Sequence, residues 1–150
     1  MNPLWWITLD GDATGFEMYN RHYSSRKSRG NQKQRLFIGP GTKRVFRTWE
    51  GDAFFVWRDF IDDSGQEGIC CSFFRNESPH LSSELIRQAC LIADALWPGR
   101  RLYTEVDARE VRSRNPGYCF LVAGWRRCGY TRSGKLVLEY LAPGGRGRAA

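Results

Sequence analysis

The segment 83–97, SELIRQACLIADALW, constrains the fold more than any other stretch of the chain. Leu85, Ala89, Ile92 and Leu96 repeat at helical spacing, with Ile86, Cys90, Ala93 and Trp97 in the next row. An apolar stripe of that width must be covered by another layer. Ser82 is a natural N-cap, Glu84 suits the first turn, and Pro98-Gly99 stops the helix. Just before it, ICCSFF (69–74) is nearly all apolar or small, as a central strand covered on both faces would be. Just after it, RLYTEVDA (101–108) alternates Leu102, Thr104 and Val106 against Tyr103 and Glu105, as a strand does.

The rest of the chain fills in around this unit. LWWITL (4–9) reads as a strand ended by Asp10-Gly11-Asp12. ATGFEMYNRHYS (13–24) suits a short helix, with Phe16, Tyr19 and Tyr23 on one face. RLFIG (35–39), KRVFRTW (43–49) and AFFVWRDF (53–60) read as strands, separated by the turns Gly39-Pro40-Gly41 and Glu50-Gly51-Asp52. DDSGQEG (62–68) is a hairpin-like loop. Pro116 to Trp125 suits a short helix with Pro at its first position, and KLVLEYL (135–141) is a closing strand. A run of strands followed by alternating strand and helix predicts an α+β sheet flanked by helices. One domain is expected over 1–141, with a disordered basic tail over 142–150.

Charge narrows the partners. The chain has 150 residues and a net charge of +7. No carboxylate occurs from Met18 to Trp49, whereas that window carries Arg21, Arg26, Lys27, Arg29, Lys33, Arg35, Lys43, Arg44 and Arg47. Arginine grips phosphate in a planar, two-pronged way that lysine does not. Nucleic acid is the first partner this suggests, and an acidic small molecule the second. A solvated basic face is the bland alternative. The five cysteines are odd in number and show no C-x-x-C spacing, which argues against a zinc ribbon and a secreted disulfide scaffold. The N-terminus lacks a basic region followed by a long apolar run, so neither a signal peptide nor a membrane span is expected, and a cytoplasmic protein is.

The candidate site residues follow from chemistry. His22 can hold a metal or move a proton near neutral pH, or be a solvated loop histidine. Asp107 ends a predicted strand, where ligands gather in sheet folds with helices, and it could equally cap the next segment. His22, Tyr23 and Asp107 together offer a mixed nitrogen and oxygen set for non-haem iron, with His80 as a possible further ligand. Tyr118 could stack on a base, act as an acid, or pack in the core. Arg75 and Asn76 leave a central strand toward Ser82 and Ser83 at a helix start, where a phosphate can bind, or where a salt-bridge corner can form. Arg21, Arg26, Lys27, Arg29 and Lys33 would hold a DNA backbone without reading its sequence.

The element order resembles the GNAT fold, the α+β fold of N-acetyltransferases with a mixed, mostly antiparallel sheet. The resemblance covers roughly residues 35–141 as topology. Its most telling piece is RLYTEVDAREVRSRNPGYCFLVAGWRRCGYTRSGKLVLE. It implies a coenzyme A-dependent transferase. The chain departs from the family where an Arg/Gln-x-x-Gly-x-Gly/Ala loop holds the coenzyme A pyrophosphate: residues 75–83 contain no glycine, and Pro79 removes a donor. That argues against ordinary coenzyme A binding. The helix tyrosine that often protonates the departing thiolate corresponds to Phe120, with Tyr118 two residues earlier.

A smaller GNAT-like group, the Mom-type DNA-modification proteins of phages, is similar in an early His-Tyr motif before Ser, in an acidic residue after the strand that follows the long helix, and in a lost coenzyme A loop. That resemblance implies a phage or prophage transferase that modifies adenine in DNA against restriction, with iron as a cofactor and His22, Tyr23 and Asp107 in its site. Such an enzyme would flip the base out of the duplex and could stack it on Tyr23, Trp49 or Tyr118. Two other readings stand beside it: a coenzyme A-dependent N-acyltransferase for a small molecule or protein, and a non-catalytic nucleic-acid-binding protein.

Overall fold

A computed structural model of the chain describes residues 2–21, 38–39, 41–109 and 115–142. The elements are β1 (Trp6–Thr8), α1 (Ala13–Asn20), β2 (Thr42–Arg47), β3 (Ala53–Asp59), β4 (Ile69–Asn76), α2 (Ser82–Leu96), β5 (Leu102–Val106), α3 (Tyr118–Val122), β6 (Arg126–Tyr130) and β7 (Leu136–Tyr140). The strands form one seven-stranded sheet in the order β1-β2-β3-β4-β5-β7-β6. Neighbours are antiparallel except β4 and β5. The connection through α2 accounts for the exception, because a strand that returns through a helix can lie parallel to its partner.

Each face of the sheet has its own core. On one face α2 and α3 cover Phe46, Phe55, Trp57, Ile69, Leu102 and Leu138. Leu85, Ile86, Ala89 and Ala93 of α2 are fully buried there, as the helical period predicts. Two buried indoles are satisfied by carbonyls of α2: Trp57 Nε1 donates to Ala89 O at 3.0 Å and Trp5 Nε1 to Leu85 O at 2.7 Å. Trp57 also stacks on Trp125, with ring centroids 6.2 Å apart. On the other face α1 lays Met18 over Val45, Phe54, Val56 and Phe73. Full burial of side chains this size is worth ~1.5–3 kcal/mol each. The α1 cover extends across β2–β4, and beyond it the same face carries polar residues.

Several boundaries differ from the sequence reading, for local reasons. The first strand is only Trp6–Thr8, because Asp12 turns the chain into α1 by accepting from Gly15 N at 2.9 Å. Ile38 and Gly39 of the expected strand 35–39 lie in no strand; Ile38 N donates instead to Asp10 Oδ1 at 2.9 Å. The N-cap of α2 is Leu81, and Ser82 is already helical. The expected helix 116–125 shrinks to Tyr118–Val122 because Gly117 takes a left-handed φ of 77°. That φ favours glycine, and a Cβ there would also press on Leu138 Cδ1 at 2.3 Å. Strand β6 was not expected. It is the outermost strand and every one of its residues is exposed, so it carries no alternating apolar signal. Among the described residues, no helix is long and apolar enough to cross a membrane.

Candidate functional site

The candidate site begins where β4 and β5 part. Their parallel pairing covers Ile69–Leu102, Cys70–Tyr103 and Cys71–Thr104, and then it ends. Beyond that point β4 runs on to Asn76 beside β3, and β5 runs on to Val106 beside β7. Their facing edges are left unpaired toward the end of the sheet where α2 starts. Thr104 Oγ1 closes the last rung by donating to Cys71 O at 3.0 Å. The next residue of β4, Ser72, has a buried hydroxyl with no nitrogen or oxygen partner and only the Cys70 thiol beside it. An orphaned buried hydroxyl beside an open strand edge suits a ligand that can hydrogen-bond to it.

A cleft of about 770 Å³ lies over this opening, on the side of the sheet away from α2. Its floor is Cys70, Ser72 and Glu105, one wall is the loop after β3, and the other is the turn between β6 and β7. The loop is built by short-range contacts. Asp62 Oδ1 accepts from Ser64 N at 2.8 Å, and Ser64 Oγ donates to Glu105 Oε1 at 2.6 Å. Tyr103 OH donates to Asp62 Oδ2 at 2.7 Å. Arg58 stands beside them, its guanidinium 3.6 Å over the Phe60 ring and close against Gly39, where a Cβ would be 2.5 Å from Nη2.

The two carboxyls at this point are pushed in opposite directions. Burial raises Glu105 above the ordinary carboxylate range; the Ser64 hydrogen bond opposes this, and the charge of Asp62 adds to it. Burial also acts to raise Asp62, but the hydrogen bonds from Tyr103 and Ser64 outweigh it and hold Asp62 low. So Asp62 is the more acidic member of the pair and Glu105 the more basic one. Pairs divided this way are what acid–base chemistry uses. The nearby thiols are unsuited to nucleophilic work: burial pushes Cys70 up to about 12 and Cys71 well above its usual range.

A buried ionic knot holds the loop in place. Arg101, on the same face, gives Nε to Glu139 Oε1 at 2.7 Å, Nη1 to the Glu67 carbonyl at 2.8 Å and Nη2 to Gln66 Oε1 at 3.1 Å. Arg126 Nε completes Glu139 from the edge strand at 2.7 Å. Gly68 lets the chain pass: a Cβ there would lie 2.3 Å from Arg101 O.

The sequence-derived candidates scatter. Asp107 directly follows β5 and lines the cleft, and its carboxylate accepts from Arg109 Nε at 3.0 Å, which holds it below its usual range. His22, Tyr23, Arg26, Lys27, Arg29 and Lys33 lie outside the described residues. Among the described residues there is no cluster of three or more groups able to hold a metal ion. Arg21 and Arg75 share Glu77, at 2.9 and 2.6 Å, so a salt-bridge corner occupies the place read as a phosphate contact. Asn76 Nδ2 donates to His80 O and Ser82 Oγ at 2.7 and 2.9 Å, which ties the loop before α2 to the helix start. His80 N is spent on Ser78 Oγ and Glu77 N on Asp52 O, but no side chain caps α2, whose first amides include Ser82 and Ser83. Tyr118 opens α3 and is 59% exposed, away from the cleft lining. Phe120 is buried against Trp125 and Phe74, so no acid stands there.

The reading of the sequence missed Asp62, Ser64, Tyr103 and Glu105. One signal was present: in RLYTEVDA, Tyr103 and Glu105 share the face opposite Leu102 and Val106, which puts a carboxyl in mid-strand on a central strand. Nothing local marked the DDS run as part of a site rather than a turn.

No family model matches the chain, and no curated protein matches it. Among solved structures, an acyl-CoA N-acyltransferase from Pseudomonas aeruginosa is similar, with a TM-score of 0.53 and 15% identity over 90% of this chain and 97% of that one. The fold is thus α+β and GNAT-like, that of the acyl-CoA N-acyltransferases.

Proposed function

We propose that the chain is a GNAT-like N-acyltransferase that takes an acyl group from a coenzyme A thioester and transfers it to an amine held in the cleft beside Glu105. The observation that carries this reading is the meeting of the parted β4 and β5 edges with the Asp62–Glu105 pair. Coenzyme A, when bound, supplies the acyl group as a thioester. The unpaired edge of β4 and the orphaned Ser72 hydroxyl fit the amide-bearing arm of such a donor. The uncapped start of α2 offers backbone amides to its phosphates, without the glycine loop common in the family. Glu77 and Glu84 near that start weaken the attraction, so the strand edges carry more of the grip.

Glu105, once it has lost its own proton, takes one from the acceptor amine. The amine nitrogen then bonds to the thioester carbonyl carbon, the carbon–sulfur bond breaks, and the departing thiolate takes up the proton that Glu105 gained, directly or through water. A general base of this kind is worth about 10²–10⁴-fold in rate. Support for this reading is the fold likeness and the site together; DNA modification rests on His22 and Tyr23.

The test is calorimetric titration of coenzyme A, with Ser72→Val as control, followed by thiol release from acetyl-CoA across a set of amines. Binding that Ser72→Val weakens at least threefold, and thiol release that Glu105→Gln abolishes, are the expected results. No binding at millimolar coenzyme A would sink the proposal.

A further inference from the structure

The two walls of the cleft, the loop after β3 and the β6–β7 turn, differ in charge, although Arg58 stands near Asp62 on the first and Asp107 near Lys135 on the second. The loop after β3 presents Asp62 and Asp63, and the β6–β7 turn presents Arg132 and Lys135 with the hydroxyls of Thr131 and Ser133. Lys135 acts on Glu105 and Asp107 through its charge, working to lower the pKa of each, but it forms no ion pair with either. Asp62 is engaged by Tyr103 and Ser64, and Asp107 by Arg109. Asp63, Arg132 and Lys135 form no ion pair among the described residues. The turn that bears the cations is itself well made: Thr131 N donates to Lys135 O at 2.9 Å, and Lys135 N to Thr131 Oγ1 at 3.1 Å. It is therefore a fixed wall rather than a loose arm. Unpaired opposite charges held apart across one cleft complete each other through a ligand that carries both.

We infer that the acceptor is a small bipolar molecule, with an amine directed to the Asp62–Glu105 side and an oxyanion, carboxylate or phosphate, directed to Arg132 and Lys135. This rests on the acyltransferase reading for the amine's fate, but not for its binding. About 770 Å³ exceeds what a single amino acid fills, so the class extends to dipeptides and amino phosphates. The cations are partly exposed, so salt screens them and binding falls as ionic strength rises.

The test is saturation-transfer NMR with the full chain and four probes: L-alanyl-L-alanine, its C-terminal amide, O-phosphoethanolamine and spermidine. Coenzyme A titration runs in parallel. The dipeptide or the amino phosphate should bind at least tenfold more tightly than the amide and spermidine, and whichever is tighter names the oxyanion. Arg132→Ala/Lys135→Ala should erase that preference while coenzyme A binding and the melting temperature stay the same. The single variant Arg132→Glu serves if the double variant misfolds. Equal binding of dipeptide and amide, a preference for spermidine, or no binding by any probe overturns the inference. If bipolar probes bind but coenzyme A does not, the inference stands and the acyltransferase reading falls. The reverse result removes the inference alone.

Discussion

Replacing Arg101 by Met tests whether the buried knot both stabilises the fold and shapes the cleft. The Arg101 side chain is 6% exposed and that of Glu139 4%, whereas Arg126 is 64% exposed. The substitution removes the donors to Glu139, to the Glu67 carbonyl and to Gln66 in one step. Breaking a buried pair from one side costs ~3–5 kcal/mol, since a charge stays behind. Arg126 keeps one oxygen of Glu139 satisfied, so the lower end, about 3 kcal/mol, is expected. At ~2–4 °C per kcal/mol that is a fall in Tm of ~6–12 °C. Burial tends to raise Glu139, but its two arginines outweigh this and hold it below the usual range. A depressed carboxylate contributes stability above its unfolded pKa and loses it as pH falls through its folded pKa. The gap between wild type and R101M is therefore full at pH 7 and narrows below about pH 4.3. Urea titrations at pH 7 and pH 3.5 measure it. Replacing both partners, Arg101→Met with Glu139→Leu, should recover most of the loss, because no charge is left buried. A loss under about 1 kcal/mol at pH 7, or a gap that widens in acid, would refute the argument.

Four further outcomes follow. Glu105→Gln should cut kcat by about 10²–10⁴-fold and abolish the rise of rate with pH that marks loss of the Glu105 proton; that limb should lie above the ordinary carboxylate range. Tyr103→Phe removes the donor that helps hold Asp62 low, so stability at pH 7 should drop by about 1 kcal/mol in urea titration, and the pH–rate limb should move. Among the five cysteines, Cys70, Cys71 and Cys90 are buried, Cys119 is half-buried and Cys128 is exposed, so Cys128 should react first with a disulfide reagent, ahead of Cys119, and that fastest phase should be lost in Cys128→Ser. Gly68→Ala forces a Cβ to within 2.3 Å of Arg101 O at a φ of +125°, and circular-dichroism melts should show a loss of at least about 2 kcal/mol.

The sheet was legible in the sequence wherever burial was one-sided or complete. ICCSFF, AFFVWRDF and the helix after Ser82 name their own environments, because apolar residues at a fixed period must be covered. Strand β6 escaped because RRCGY sits at an edge and buries nothing. The site escaped for a related reason. Its parts are polar residues from β3's loop, two central strands and a terminal turn, and each alone is an ordinary loop or strand residue. Asp107, which lines the cleft, was singled out because strand ends are a general place to look. Glu105 stands one pleat away, and reading it required knowing that a polar loop rather than a helix covers β5 on that face.

That missing cover explains how one fold carries both a stable core and a wet cleft. Helix α1 is eight residues long and shields only β2–β4 with Met18 and its neighbours. Past its reach, the face over β5 and β7 cannot be apolar without exposing a hydrophobic patch. It is instead built from Tyr103, Glu105, Arg101 and Glu139, all satisfied by specific partners. Arg101 and Glu139 spend their charge on each other and on the loop backbone. That fixes the loop bearing Asp62 and Ser64 over the point where β4 and β5 part. Lengthening α1 to cover β5 should therefore gain stability and close the cleft. Shortening the loop by removing Gly65, an exposed turn residue with open space around it, should spare the fold and misplace Ser64. A Gly65 deletion that keeps Tm within ~4 °C but lowers thiol release at least tenfold is the expected result. Equal loss of both would mean that loop and core are one unit, and that the cleft is a by-product of packing rather than a site held by it.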